Sequence, residues 1–143
     1  MTTRGILVGA VLTSFGYAHR TPPPATVTLD TRALLRDPHI NPALRALTGH
    51  HPAVQHRVLT TPGAARLIQH TTDLVDDLLA DAGDPTGTLV TVAIGCVGGR
   101  HRSVALTEAI AAQLAARGVR AEVEHLDVDQ AVIDRNHPTA PPR

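Results

Sequence analysis

Residues 88–104, Thr-Leu-Val-Thr-Val-Ala-Ile-Gly-Cys-Val-Gly-Gly-Arg-His-Arg-Ser-Val, constrain the fold more than any other stretch of the chain. The β-branched apolar run over 89–94 reads as a buried central strand. Glycines then make a tight turn, and Leu106, Ile110 and Leu114 follow at helical spacing, predicting a helix over 103–117. A strand that feeds a helix through a glycine turn belongs to a layered α/β domain. It is also an anion site: loop and helix amides point outward, and the helix dipole favours negative charge there. Gly95, Gly98 and Gly99 allow an oxyanion to approach the backbone closely. Arg100 and Arg102 add donors suited to phosphate. The segment therefore reads as a phosphate-binding loop with Cys96, Val97, Gly98, Gly99, Arg100, His101, Arg102 and Ser103 as its ligand-binding residues.

The flanking sequence supplies the other layers. Residues 4–13 read as a first strand, 14–20 as a loop holding both large aromatics, and 21–24 as a stiff proline connector. A second strand is expected over 25–29, ending at Asp30, followed by an irregular stretch over 31–52. A short helix is expected over 51–59. Thr61-Pro62 has the form of an N-cap and first helical residue for an amphipathic helix over 62–81, with Gly83 as its stop and its aspartates on a solvated face. Gly118 ends the next helix, and 119–126 is the last strand. Strands alternating with helices imply an α/β layered domain with a mostly parallel sheet. Ligand sites in such sheets lie at the carboxyl ends of strands, where Ser14, Asp30 and Cys96 all fall. One domain is expected over 1–135, with a mobile tail over 136–143 rich in proline and polar residues.

Composition removes several function classes. All 13 basic residues are Arg, so no Walker-type lysine and no lysine Schiff base is available. Formal net charge is zero, which argues against non-specific nucleic-acid binding. Cys96 is the lone cysteine, which leaves no intrachain disulfide and no multi-cysteine metal site. No apolar run approaches a membrane span, so no membrane partner is expected and the cytoplasm is the expected compartment.

Other constellations compete for the same residues. Cys96-x-x-Gly99-x-x-Arg102-Ser103 fits the phosphate loop of cysteine-dependent phosphatases, in which a thiolate attacks and the arginine clamps the phosphoryl oxygens. Gly95 stands where those enzymes usually carry His, and only Asp30 and Asp37 offer themselves as general acid. Nine histidines invite a metal, yet His50-His51, His39, His56, His70, His101 and His125 make no recognised ligand spacing, so neither metal nor cofactor is expected.

Three motifs in order carry a family resemblance. They are Ser14-Phe15-Gly16-Tyr17-x-His19; Asp30-x-Arg32 with Pro38-His39 and Pro42-x-Leu44-Arg45-x-Leu47-Thr48-Gly49; and Ile94-Gly95-Cys96-x-Gly98-Gly99-x-His101-Arg102-Ser103-Val104. Over 6–127 the chain resembles the C-terminal domain of the RapZ RNase adapter family. The resemblance implies an α/β domain that binds a phosphorylated amino sugar, glucosamine-6-phosphate, in a regulatory role, with homo-oligomers and, in full-length members, small RNA and a ribonuclease as partners. It adds His19, Asp30, Arg32 and His39 to the ligand site, with His19 and Asp30 toward an amine or hydroxyls. The family's nucleotide-binding domain and its lysine-containing basic surface have no counterpart in these 143 residues. Three readings therefore stand: a sensor of a phosphorylated metabolite, a cysteine phosphatase using Cys96 and Arg102, and an RNA- or protein-binding adapter.

Overall fold

The computed structural model describes residues 9–33, 42–82 and 88–132. Four strands, β1 (Ala10–Gly16), β2 (Val27–Asp30), β3 (Val90–Cys96) and β4 (Ala121–His125), form one sheet in the order β2-β3-β1-β4. Every pairing in it is parallel. The helices are α1 (Pro42–Arg45), α2 (Pro52–Leu59), α3 (Ala64–Asp81) and α4 (Arg102–Ala116). The layered α/β reading holds, and the sheet is parallel throughout rather than mostly so.

Side chains alternate across each strand, and one sheet face makes the core. Ala10 and Leu12 of β1 and Val90, Val92 and Ile94 of β3 are buried together with Val54, Val75, Leu106, Ile110 and Leu114 from the helices. The stripe expected on α4 is fully buried at Leu106, Ile110 and Leu114. With two large aromatics in the chain, aliphatic packing carries this core. The opposite face presents Thr28, Glu122 and Glu124 to solvent.

Several boundaries differ from expectation for identifiable reasons. β1 continues through Ser14, Phe15 and Gly16, which pair with Ile94, Gly95 and Cys96 instead of forming a loop. The Thr61-Pro62 cap is not used: α3 starts at Ala64 behind Gly63, which has φ 93°, and the Thr61 hydroxyl donates back to the Arg57 carbonyl at 3.0 Å. Pro42–Arg45 forms a helical turn inside the stretch expected to be irregular. Val119 is lost to the last strand because its N–H bonds the Leu114 carbonyl while that of Gly118 bonds Ala115. That is a Schellman closure with Gly118 at φ 81°, the helix stop expected of this glycine. Gly83, the first residues of the expected strand and the tail over 136–143 lie outside the described residues.

β1 and β3 are neighbours, yet the chain leaves them in opposite directions, toward β2 on one edge and β4 on the other. In open α/β sheets this switch point, at the carboxyl ends of the strands, is where ligands bind.

Candidate functional site

Five segments converge at that carboxyl edge. They are the turn 17–20 after β1, Thr31 and Arg32 after β2, the connector 46–51 before α2, the glycine loop 97–101 between β3 and α4, and 126–130 after β4. Backbone bonds tie them to one another. Tyr17 and Ala18 donate to the carbonyls of Cys96 and Val97, Thr31 donates to Gly95, and Gly49 donates to Arg100 at 2.7 Å. The Thr31 hydroxyl also donates to the Gly95 carbonyl at 2.7 Å.

The glycine loop is held from below as well as from its sides. Gly99 has φ 73°, and a Cβ there would lie 2.7 Å from the Gly16 nitrogen and 2.8 Å from Asp127 Cβ. A Cβ on Gly16 would meet the Gly98 carbonyl carbon at 2.6 Å. Loop and β1 terminus therefore interlock at backbone contact, a fit that side chains would prevent. α4 begins at the loop's end, where the side chain of its N-cap residue, His101, makes no capping hydrogen bond. A helix start leaves first-turn amides without intrahelical acceptors, and its dipole is positive there.

The residues expected in the ligand site take different positions. Val97, Gly98 and His101 are half-buried along the loop, and Gly99 is buried. Arg102 is buried at the first turn of α4, with Nη1 donating to the Thr31 carbonyl at 3.1 Å. Its charge is close enough to help keep the Asp30 carboxyl ionised. Arg100 turns away from the cradle: Nη1 donates to the carbonyls of Val128 and Gln130, and Nη2 to that of Ala46. Its guanidinium joins the loop to the connector and to the chain after β4. The His101 ring nitrogen Nε2 lies 3.0 Å from the Arg45 carbonyl.

Cys96 and Ser103 face the interior, 3% and 0% exposed. The thiol bonds the Ser103 hydroxyl at 3.2 Å and accepts the Gly99 N–H at 3.2 Å. Those contacts brace the loop from inside.

Asp30 and Arg32 form a rim of their own. Arg32 donates to both Asp30 oxygens at 3.0 and 2.7 Å, and its guanidinium carbon sits 3.6 Å over the Tyr17 ring. The Arg32 hydrogen bonds hold the Asp30 carboxyl below its ordinary range. Burial, with Asp30 adding to it, raises the Tyr17 phenol above its ordinary value. His19 is exposed on the turn after β1, its N–H bonded to the Gly16 carbonyl. His39 lies outside the described residues.

Two groups at this edge escaped the sequence reading. Asp127 is fully buried, takes the Gly16 N–H at 2.8 Å and binds Arg20 bidentately at 2.9 and 2.7 Å. Burial pushes its carboxyl upward, but the bonds from Arg20 and Gly16 outweigh that and leave it below the usual range. Ser14, Glu108 and His125 form the second group: Ser14 Oγ is 2.6 Å from His125 Nδ1, and His125 Nε2 is 2.8 Å from Glu108 Oε1. The position of Asp127 just past a parallel strand was the available signal for the first. The second depends on the pairing of Ser14 with His125, residues 111 apart in sequence.

Residues 9–129 match the RapZ C-terminal domain. A nucleotide-binding protein of Trichlorobacter lovleyi is 39% identical over 117 residues, covering 82% of this chain and 41% of the relative. Nucleotide-binding proteins of Rubrobacter xylanophilus and Streptomyces coelicolor are 41% and 40% identical over 79% and 83% of this chain, covering 37% and 40% of their own lengths. The chain spans about 40% of the length of these curated relatives. It belongs to the RapZ C-terminal domain family. No helix among the described residues is long and apolar enough to cross a membrane.

Proposed function

We propose that this member of the RapZ C-terminal domain family is a binding domain for a phosphorylated small molecule, an aminosugar phosphate such as glucosamine-6-phosphate, and that it acts as a regulatory sensor rather than as an enzyme. One observation carries the reading: a glycine loop locked against β1 at backbone contact, the start of α4 and buried Arg102 lie together at the switch point of a parallel sheet. Preformed amides at a helix N-terminus take a phosphate dianion without reorganisation. In this arrangement 97–103 supplies the phosphate cradle, while His19 and the Asp30–Arg32 rim face the sugar. The Asp30 carboxylate, kept ionised by Arg32, is the natural partner of a protonated amine. Cys96 and Ser103 support the cradle from inside, and Arg100 fixes its edge.

Thiol chemistry is disfavoured by placement, since Cys96 is only 3% exposed. The relatives' name, nucleotide-binding protein, also describes a phosphorylated ligand, but this sequence has no lysine for a Walker loop. Titration with glucosamine-6-phosphate by calorimetry tests the reading. Arg102→Ala should weaken binding by about 1.5–3 kcal/mol, the scale of hydrogen bonds to a charged group. Unchanged affinity in a folded Arg102→Ala protein, verified by circular dichroism, refutes the site.

A further inference from the structure

We propose that His50, Glu108 and His125 form a binding site for a divalent transition-metal ion of the zinc class. The three come from different elements: the connector before α2, the second turn of α4 and the end of β4. One ligand atom from each lies within 4.8 Å of the other two. Two imidazoles and one carboxylate are a donor set that zinc accepts when a water fills the fourth position.

The distances suit an ion at the centre. Ligand atoms bound at about 2.0–2.1 Å in a tetrahedron lie about 3.3 Å apart. His125 Nε2 to Glu108 Oε1 is 2.8 Å, and His50 Nδ1 to the same oxygen is 3.9 Å, so the two gaps bracket that spacing. Closing the set moves Glu108 by about half an ångström and brings the imidazoles together by up to about 1.5 Å, a rotamer-scale adjustment. The rings already meet edge-on, with centroids 4.9 Å apart.

An outer partner is in place. Metal-bound histidines are oriented by a hydrogen bond at the other ring nitrogen. The fully buried Ser14 hydroxyl sits 2.6 Å from His125 Nδ1, which leaves Nε2 facing Glu108. Exposure rises from 9% at the His125 side chain to 38% at Glu108 and 52% at His50. The site is therefore anchored on one side and open to water on the other. Bound metal would fasten the connector to α4 and β4 one residue from Gly49, whose N–H holds the Arg100 carbonyl of the glycine loop.

The test is a titration of the metal-free full chain with Zn(II) by calorimetry, and with Co(II) by visible absorption. One ion per chain and Co(II) ligand-field bands are expected. His50→Ala removes an exposed ligand and should lower zinc affinity more than about 10-fold, since even loss of an outer partner costs roughly 10- to 100-fold. Ser14→Ala should fall within that outer-partner range, and His70→Ala, on α3 and not a member of the cluster, should change nothing. The metal-free His50→Ala protein should keep the parent circular dichroism, so a binding loss is separable from misfolding. Absence of Zn(II) binding by the parent chain, or equal affinity in the parent and His50→Ala, overturns the proposal.

Discussion

Replacing Gly99 by Ala isolates what holds the anion loop in shape, because Gly118 provides a matched control. Both residues have positive φ, 73° and 81°. The left-handed backbone costs an L-residue about 1–2 kcal/mol at either position. Their surroundings differ. A Cβ at Gly118 meets nothing within 4 Å, whereas one at Gly99 meets the Gly16 nitrogen at 2.7 Å, Asp127 Cβ at 2.8 Å and the Phe15 carbonyl carbon at 2.9 Å. Two of those three atoms are backbone of a central strand and cannot swing aside. Overpacking of this kind costs about 1–3 kcal/mol. Gly118→Ala should then destabilise by about 1–2 kcal/mol, and Gly99→Ala by the sum of both penalties, about 2–5 kcal/mol. Urea unfolding measures the difference as a shift in midpoint at constant slope. Equal losses in the two variants would refute the interlock between the glycine loop and β1. Gly99→Ala should also lose sugar-phosphate affinity, because a displaced loop no longer presents its amides together, while Gly118→Ala binds normally.

Three further outcomes follow from the geometry. Asp127 is held below the ordinary carboxyl range, so its contribution to stability is present above the unfolded value near pH 4 and is lost as pH falls through the lower folded value; Asp127→Asn should flatten the acid limb of a stability–pH profile, and a limb identical to the parent's would contradict this. Cys96→Ser should keep sugar-phosphate binding and remove no phosphatase activity, since the buried thiol braces the loop; a phosphatase rate lost in this variant, with a trapped phosphocysteine, would overturn that assignment. Structured RNA should bind weakly and with steep salt dependence, given zero formal charge and two large aromatics; submicromolar, sequence-selective binding at physiological salt in an anisotropy assay would establish the adapter role instead.

The parts of this fold visible in the sequence are those governed by local periodicity. β3 and α4 announce themselves through a β-branched run, buried at Val90, Val92, Ala93 and Ile94 although Leu89 is exposed and stays outside the strand, and through Leu106, Ile110 and Leu114, all buried. The end of β1 did not, because Ser-Phe-Gly has turn chemistry. It is a strand because Gly95 across the ladder leaves space for the Phe15 ring, which would lie 2.5 Å from a Cβ there. Thr61-Pro62 has the local form of a cap, but Thr61 spends its hydroxyl on the preceding helix. Arg100 and Arg102 are equivalent in a sequence reading. Only the assembled edge separates them, one engaged by carbonyls of two other segments and the other buried at the helix start. The Asp127 clamp and the His50–Glu108–His125 cluster join residues that become neighbours through sheet register and crossover, which no local pattern encodes.

Titration of isotope-labelled protein with glucosamine-6-phosphate, following backbone amides by NMR alongside glucosamine and inorganic phosphate as partial ligands, locates the phosphate directly. The largest shifts should fall on the amides of 97–103, with a smaller set at His19 and Asp30. Phosphate alone should reproduce only the loop shifts. Perturbations elsewhere on the sheet, or saturating ligand that leaves the amides of Gly98 and Arg102 unmoved, would contradict the assignment of this loop as the phosphate cradle.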